Sequence, residues 1–180
     1  MGLLQKLRGL VTPSVDPALA ALYAACVAAS RQPVFYARLG VPDMVDGRFD
    51  MLLLHVFLVI RRLSHLSVKQ KLFDMMFADM DRSLREMGVG DMSIGKKIKP
   101  MLSGFYGRAE AYEKALAAPD DAALVAALAR NIYGRESADG AMVLAHYVRA
   151  SVALLAATDE AALVQGLFAF AACDDERKAG

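Results

Sequence analysis

The chain has 180 residues, 56% of them hydrophobic and 23% charged, which suits one domain with a single large core and excludes a disordered binding tail. Its formal net charge of +1 is unevenly spread, with 16 Lys+Arg against 11 Asp+Glu in residues 1–114 and 5 against 9 in residues 115–180. The first part is therefore the one expected to meet an anionic partner.

Met1 to Leu10 is a short amphipathic stretch with Leu3, Leu4, Leu7 and Leu10 on one side. Residues 1–15 are read as an arm that packs on its own domain, contact with a membrane surface being the alternative. The stretch has no sustained apolar run and no small-residue cleavage site, so a cytoplasmic protein is expected, at most peripheral at the inner membrane. The helical domain should occupy residues 16–172, followed by a polar tail, 173–180. Asp16 before Pro17 is a helix start, because Asp accepts from free first-turn amides and Pro tolerates the first helical position. That helix should run to Arg31 and bury Leu19, Leu22, Tyr23, Cys26 and Val27. Cys26 and Cys173 lack CxxC spacing and are read as two thiols rather than a disulfide.

Pro33 to Gly40 fits a short helix, Val41 to Gly47 a loop, and Phe49 to Leu63 a nearly all-apolar helix. The apolar run Met51 to Ile60 is half the ~20 residues a membrane span needs, so this helix belongs at the centre of a bundle. Leu52, Leu53, Val56, Phe57 and Ile60 should be buried. The next helix, Val68 to Met87, places Leu72, Phe73, Met76, Phe77, Met80, Leu84 and Met87 on one face and charge on the other, and Gly88 supplies its left-handed stop. Ser93 can cap a helix whose apolar stripe includes Ile94, Ile98, Met101, Leu102, Phe105, Tyr112 and Leu116. Pro100 should bend it, since the carbonyl of Lys96 loses its amide partner. Pro119 and Asp120 open another helix that ends near Gly134. Segments Asp139 to Ala157 and Thr158 to Ala172, the last capped by Thr158, complete an all-α, single-domain helical bundle.

No phosphate-binding glycine loop, zinc-protease HExxH or nucleophile-elbow GxSxG is present, and the three histidines form no pair at ligand spacing. His55 and His146 are read as satisfied core or interhelix residues. No enzyme, metal or cofactor is expected. Two features point to binding instead. Gly104, Gly107 and Ala111 fall within about 60° on the helix face away from its apolar stripe, a shallow groove that either a helix of the domain or an external one can fill. Internal packing is expected for Gly104. In addition, eight of the ten methionines lie between Met44 and Met101, and methionine suits surfaces that accept irregular apolar partners. Met76, Met80 and Met87 are assigned to the core and Met75 to the charged face.

Two stretches carry a specific resemblance. Tyr36 to Leu63 reads YARLGVPDMVDGRFDMLLLHVFLVIRRL, and Phe77 to Leu116 reads FADMDRSLREMGVGDMSIGKKIKPMLSGFYGRAEAYEKAL. VDGRFDM, the LREMGVGD turn, the lysine cluster and FYGR followed by Tyr112, in this order, resemble the ubiquinol-cytochrome c chaperone family. The resemblance implies a helical chaperone that binds newly made cytochrome b and helps it join the quinol-oxidising cytochrome bc complex. Mitochondrial members work at the ribosome with a small partner protein on the inner membrane. This sequence has no mitochondrial targeting extension, which fits a bacterial member and leaves the small partner open. Pro100 stands where the family pattern has a polar or basic residue. The competing reading is a general helical adaptor or membrane-surface protein without a dedicated client.

Lys96, Lys97, Lys99 and Arg108 have no acidic neighbour until Glu110, so they should form a positive patch for ribosomal RNA, anionic lipid or an acidic partner. The client or partner is expected to dock across Met75, Arg82 and Arg85 on one helix and Gly107, Arg108 and Ala111 on the next. If a later helix instead covers Gly107, a bulky substitution there will overpack the core.

Overall fold

The computed structural model describes residues 16–173, leaving aside the side chains of residues 91, 92, 94, 95, 97–99 and 102. The expected arm, 1–15, and residues 174–180 of the expected tail lie outside the described residues. Within them the protein is all-α, with eight helical segments and no strand: α1 (Pro17–Ser30), α2 (Pro33–Ala37), α3 (Val45–Arg62), α4 (Leu66–Glu86), α5 (Asp91–Ala117), α6 (Ala122–Tyr133), α7 (Gly140–Ala157) and α8 (Glu160–Val164).

The apolar helix α3 is the hub, packing against α1, α4, α6 and α7. Leu53, Val56 and Phe57 are buried as the composition of this helix requires, while Leu52 and Ile60 are only partly covered. α3 begins four residues before Phe49, in a stretch read from sequence as loop. Gly47 explains the early start: a Cβ there would overlap the Pro42 carbonyl, so only glycine lets the 41–44 loop fold back against the first turn.

α1 starts as expected, with Asp16 Oδ1 accepting the Ala18 amide at 3.0 Å and Pro17 in the first turn. It buries Leu19, Leu22, Tyr23 and Cys26, and the Tyr23 hydroxyl donates to Asp79 on α4 at 2.8 Å. Two apolar segments, Pro17–Ala37 and Gly140–Ala157, are long enough to cross a membrane by length and composition, yet their inward sides are bundle core.

The bounds of α5 and α8 also differ from the sequence reading. α5 starts at Asp91 with Gly90 as its cap residue, ahead of Ser93, and continues through Pro100 to Ala117. The last helix is capped by Asp159, which accepts the amides of Ala161 and Ala162, and stops at Val164 rather than Ala172. Gly166 ends it: φ is +74°, and a Cβ would lie 2.8 Å from the Ala21 backbone of α1. Residues 167–173 then run without helix, with Phe168 and Phe170 against the core and the Ala171 amide donating to Ser151 Oγ at 3.1 Å.

Interhelical ties set one end of the bundle. Arg62 at the end of α3 donates to the Leu155 carbonyl at 3.0 Å and the Thr158 carbonyl at 2.9 Å, and Arg61 pairs with Glu113 near the end of α5 at 2.9 Å. α3 and α5 therefore finish at the same end of the bundle. At their other end, where α3 and α5 begin and α4 finishes, the helices leave space between them.

Candidate functional site

That space is an apolar groove of about 560 Å³. Val45, Asp46 and Phe49 from the first turns of α3 form one wall, Met80, Leu84 and Met87 from the last turns of α4 a second, and Lys96, Pro100 and Met101 of α5 a third. Residues 80, 84 and 87 share one face of α4 because four- and three-residue steps return to the same side of a helix. Gly88 (φ +80°) then turns the chain, and Val89 closes that corner of the groove. Met87 and Val45 remain 52% and 49% exposed, so the groove offers apolar surface to a partner and is not sealed core. Three of its linings are methionines, whose unbranched side chains adapt to irregular apolar shapes.

Polar groups are few. Asp46 stands in the first turn of α3, where the helix dipole favours a negative charge. Lys96 is exposed and makes no ion pair among the described residues. One turn beyond Asp46 on α3, Asp50 pairs with Arg108 of α5, a tie with side-chain exposures of 14% and 29%. Burial of Asp50 outweighs the pull of Arg108 and pushes its carboxyl up to about 6.

Outside the groove, α5 carries an open row. Taking 100° per residue, Lys96, Pro100, Gly104, Gly107 and Ala111 fall within about 80° of one another, so the groove-lining Lys96 and Pro100 lead directly onto the small residues. A Cβ at Gly104 or Gly107 would meet nothing within 4 Å. The expectation that Gly104 is packed inside the domain is thus corrected, and no helix after Pro119 covers Gly107.

The residues expected to act together separate into groups. Lys96, Gly107 and Ala111 lie along the open row of α5. Arg108 turns toward Asp50, because a guanidinium half-covered by its neighbours finds its counter-charge on α3 rather than in solvent. Met75 is partly buried against the core, on the side of α4 that also carries Asp79, the acceptor of the α1 tyrosine. Arg82 and Arg85 pair along their own helix with Asp79 at 3.9 Å and Asp81 at 2.7 Å. These three α4 residues sit on roughly the opposite side of the helix from Met80, Leu84 and Met87. Lys97 and Lys99 belong to α5, but their side chains lie outside the described ones.

The assignment of Met87 to the core is overturned by its exposure, and Met80 and Met101 join it as groove residues the sequence reading missed. The crowding of methionine between residues 44 and 101 was the available signal. Apolar periodicity could not use it, since a stripe shows which side faces inward and not where the neighbouring helices part.

His55 is no site. It is fully buried, with Nδ1 2.7 Å from the Met51 carbonyl and Nε2 2.7 Å from the Tyr147 hydroxyl. His146 is exposed, 3.4 Å from Asp121. Cys26 is a buried thiol that burial pushes up to about 12. Among the described residues no group of three His, Cys, Asp or Glu side chains is placed to hold a metal ion.

Comparison with known proteins places this geometry. Residues 37–170 match the family described as Ubiquinol-cytochrome C chaperone. Ubiquinol-cytochrome c reductase complex assembly factor 1 of Mus musculus is 27% identical over 135 residues, covering 71% of this chain and 45% of that protein. The Homo sapiens protein of the same name is 28% identical over 141 residues, covering 74% and 47%. The chain thus spans about half the length of these two relatives. The crystal structure of the Cbp3 homolog from Brucella abortus superimposes with a TM-score of 0.79 at 36% identity, covering 96% of this chain and 98% of that one.

Proposed function

The chain belongs to the ubiquinol-cytochrome c chaperone family, and from that membership we propose that it is a non-enzymatic assembly chaperone for the cytochrome bc complex, with newly made cytochrome b as its client. The observation that carries the mode of action is the methionine-lined groove between α3, α4 and α5. A nascent membrane protein presents apolar helices that have not yet found their neighbours, and an open, deformable apolar groove covers such a segment without demanding one shape. The open row on α5 gives a bound helix room to lie close to the backbone. Work on such a client puts the protein at the inner-membrane surface. The lysine cluster 96–99 contributes to that position by attraction to ribosomal RNA or anionic lipid.

Deletion of the gene, followed by spectroscopic measurement of assembled cytochrome b, tests the function. A loss confined to the cytochrome bc complex supports it, and an unchanged level overturns it. Reversing charge at Lys96 and Lys97 should weaken ribosome or membrane association at low salt; unchanged association would make these lysines a solvated face.

A further inference from the structure

We propose that the helix accepted by this protein is an apolar one carrying carboxylates at one end, laid along α5 with its acidic end beside Lys96. The inference rests on the reading of the groove as the client site and adds an orientation to it.

The row from Lys96 through Pro100, Gly104 and Gly107 to Ala111 rises about 22 Å along α5, the length of a helix of four turns. Among the described residues nothing lies within 4 Å of where a Cβ at Gly104 or Gly107 would stand. A helix lying there brings its backbone close over the glycines and drops its large side chains toward Met80, Met87 and Met101.

The charges along this track are not symmetrical. Four positive residues of α5, Lys96, Lys97, Lys99 and Arg108, lie between Asp91 and Glu110 with no acid among them. Arg108 is taken by Asp50. At the far end Lys114 is neutralised by Glu110 at 2.6 Å, and on α4 Arg82 and Arg85 are matched by Asp79 and Asp81. Asp46 shares the groove with Lys96, but the two form no ion pair among the described residues. By sequence the first nine residues of α5 carry three lysines against Asp91, and Asp46 across the groove offsets one of the two positive charges left over, so an excess of positive charge stands at the start of the track, where an apolar surface lowers the local dielectric and sharpens the attraction. A partner helix with carboxylates at that end gains by it; one with lysines there is repelled.

The test uses the purified full chain and two labelled 18-residue helical peptides with the same Leu/Ala body, one ending in three glutamates and the other in three lysines, followed by fluorescence anisotropy. At low salt the acidic peptide should bind at least tenfold more tightly, and the preference should shrink at high salt. Lys96→Glu should cut that preference at least threefold. Gly107→Leu should weaken both peptides at least fivefold without lowering the melting temperature. Equal binding of the two peptides, or a preference untouched by Lys96→Glu, overturns the orientation; wild-type binding by Gly107→Leu overturns the placement along α5. Met87→Glu separates this from the underlying reading: if it binds both peptides as wild type does, the groove itself is not the site and the orientation falls with it. None of these outcomes depends on whether cytochrome b is the client, which the deletion experiment decides.

Discussion

His55 Nε2 lies 2.7 Å from the hydroxyl of Tyr147, a residue 92 positions further along the chain. The Met51 carbonyl, 2.7 Å from Nδ1, can only accept, so the neutral ring carries its proton on Nδ1 and Nε2 accepts from the tyrosine. The pair thus ties α3 to α7, and one turn further along α7 Ser151 Oγ accepts the Ala171 amide of the non-helical end segment at 3.1 Å. Burial pushes the imidazole from 6.5 down to about 4. The unfolded chain therefore takes up a proton first, and this residue's contribution to stability, full above pH 6.5, is lost as the pH falls toward 4. At pH 5 the loss is about 2 kcal/mol. His55→Gln should lose about that much less stability than wild type between pH 7.5 and 5.0 in urea unfolding; an identical loss would contradict the buried neutral ring.

Asp50 acts in the same window with the opposite sign. Its carboxyl is raised to about 6, so the folded protein takes up the proton first and gains stability as the pH falls from 6 toward the unfolded value of 3.8, by about 1 kcal/mol at pH 5. Arg108→Met should cost about 1–3 kcal/mol at pH 7.5 by leaving a mostly buried carboxylate unpaired, and less at pH 5, where Asp50 is protonated. Asp50→Asn should cost under about 1 kcal/mol at pH 7.5, since the remaining guanidinium reaches water. Denaturant midpoints at both pH values check this. Equal costs for the two substitutions would mean that Asp50 is not desolvated.

The glycines divide into those that need to be glycine and those that leave space. Gly107→Leu should leave the melting temperature unchanged or raise it, because leucine favours helix over glycine by about 0.5–1 kcal/mol and nothing stands within 4 Å. Gly47→Ala and Gly140→Ala should each destabilise by more than about 2 kcal/mol, as a Cβ would overlap the carbonyls of Pro42 and Leu39. Thermal unfolding of the three variants checks the contrast.

These particulars show how far sequence reaches in this fold. Period-3.6 apolar spacing located α4 and its buried Leu72, Met76 and Leu84, and Gly134, at φ +64°, ends α6 as its position suggests. Such signals are local, and local physics dominates helix formation. The groove was hidden because Met87 and Met101 have the spacing of core residues, and their exposure depends on where α3, α4 and α5 diverge. Arg108 was misread as surface charge because its partner Asp50 lies 58 residues away. The run to Ala172 was read as helix because Gly166, fitted against α1, declares its role only once the two segments meet.

The final prediction separates the two faces of α4. Met87 is half exposed in the groove, so Met87→Glu should cost under about 1 kcal/mol in stability, and Arg82 on the far side, 69% exposed beside Asp79, should tolerate Arg82→Glu as well. Their effects on function should differ. A charge in the groove must be desolvated when an apolar helix enters, which costs several-fold to a hundredfold in affinity, whereas a charge on the opposite face meets no client. In a strain lacking the chromosomal copy, the Met87→Glu protein should leave assembled cytochrome b near the deletion level at normal protein abundance, and Arg82→Glu should restore it. Restoration by Met87→Glu together with failure of Arg82→Glu would move the client surface to the charged side of α4, where Arg82 and Arg85 would have to exchange their intrahelical partners for the client's own carboxylates.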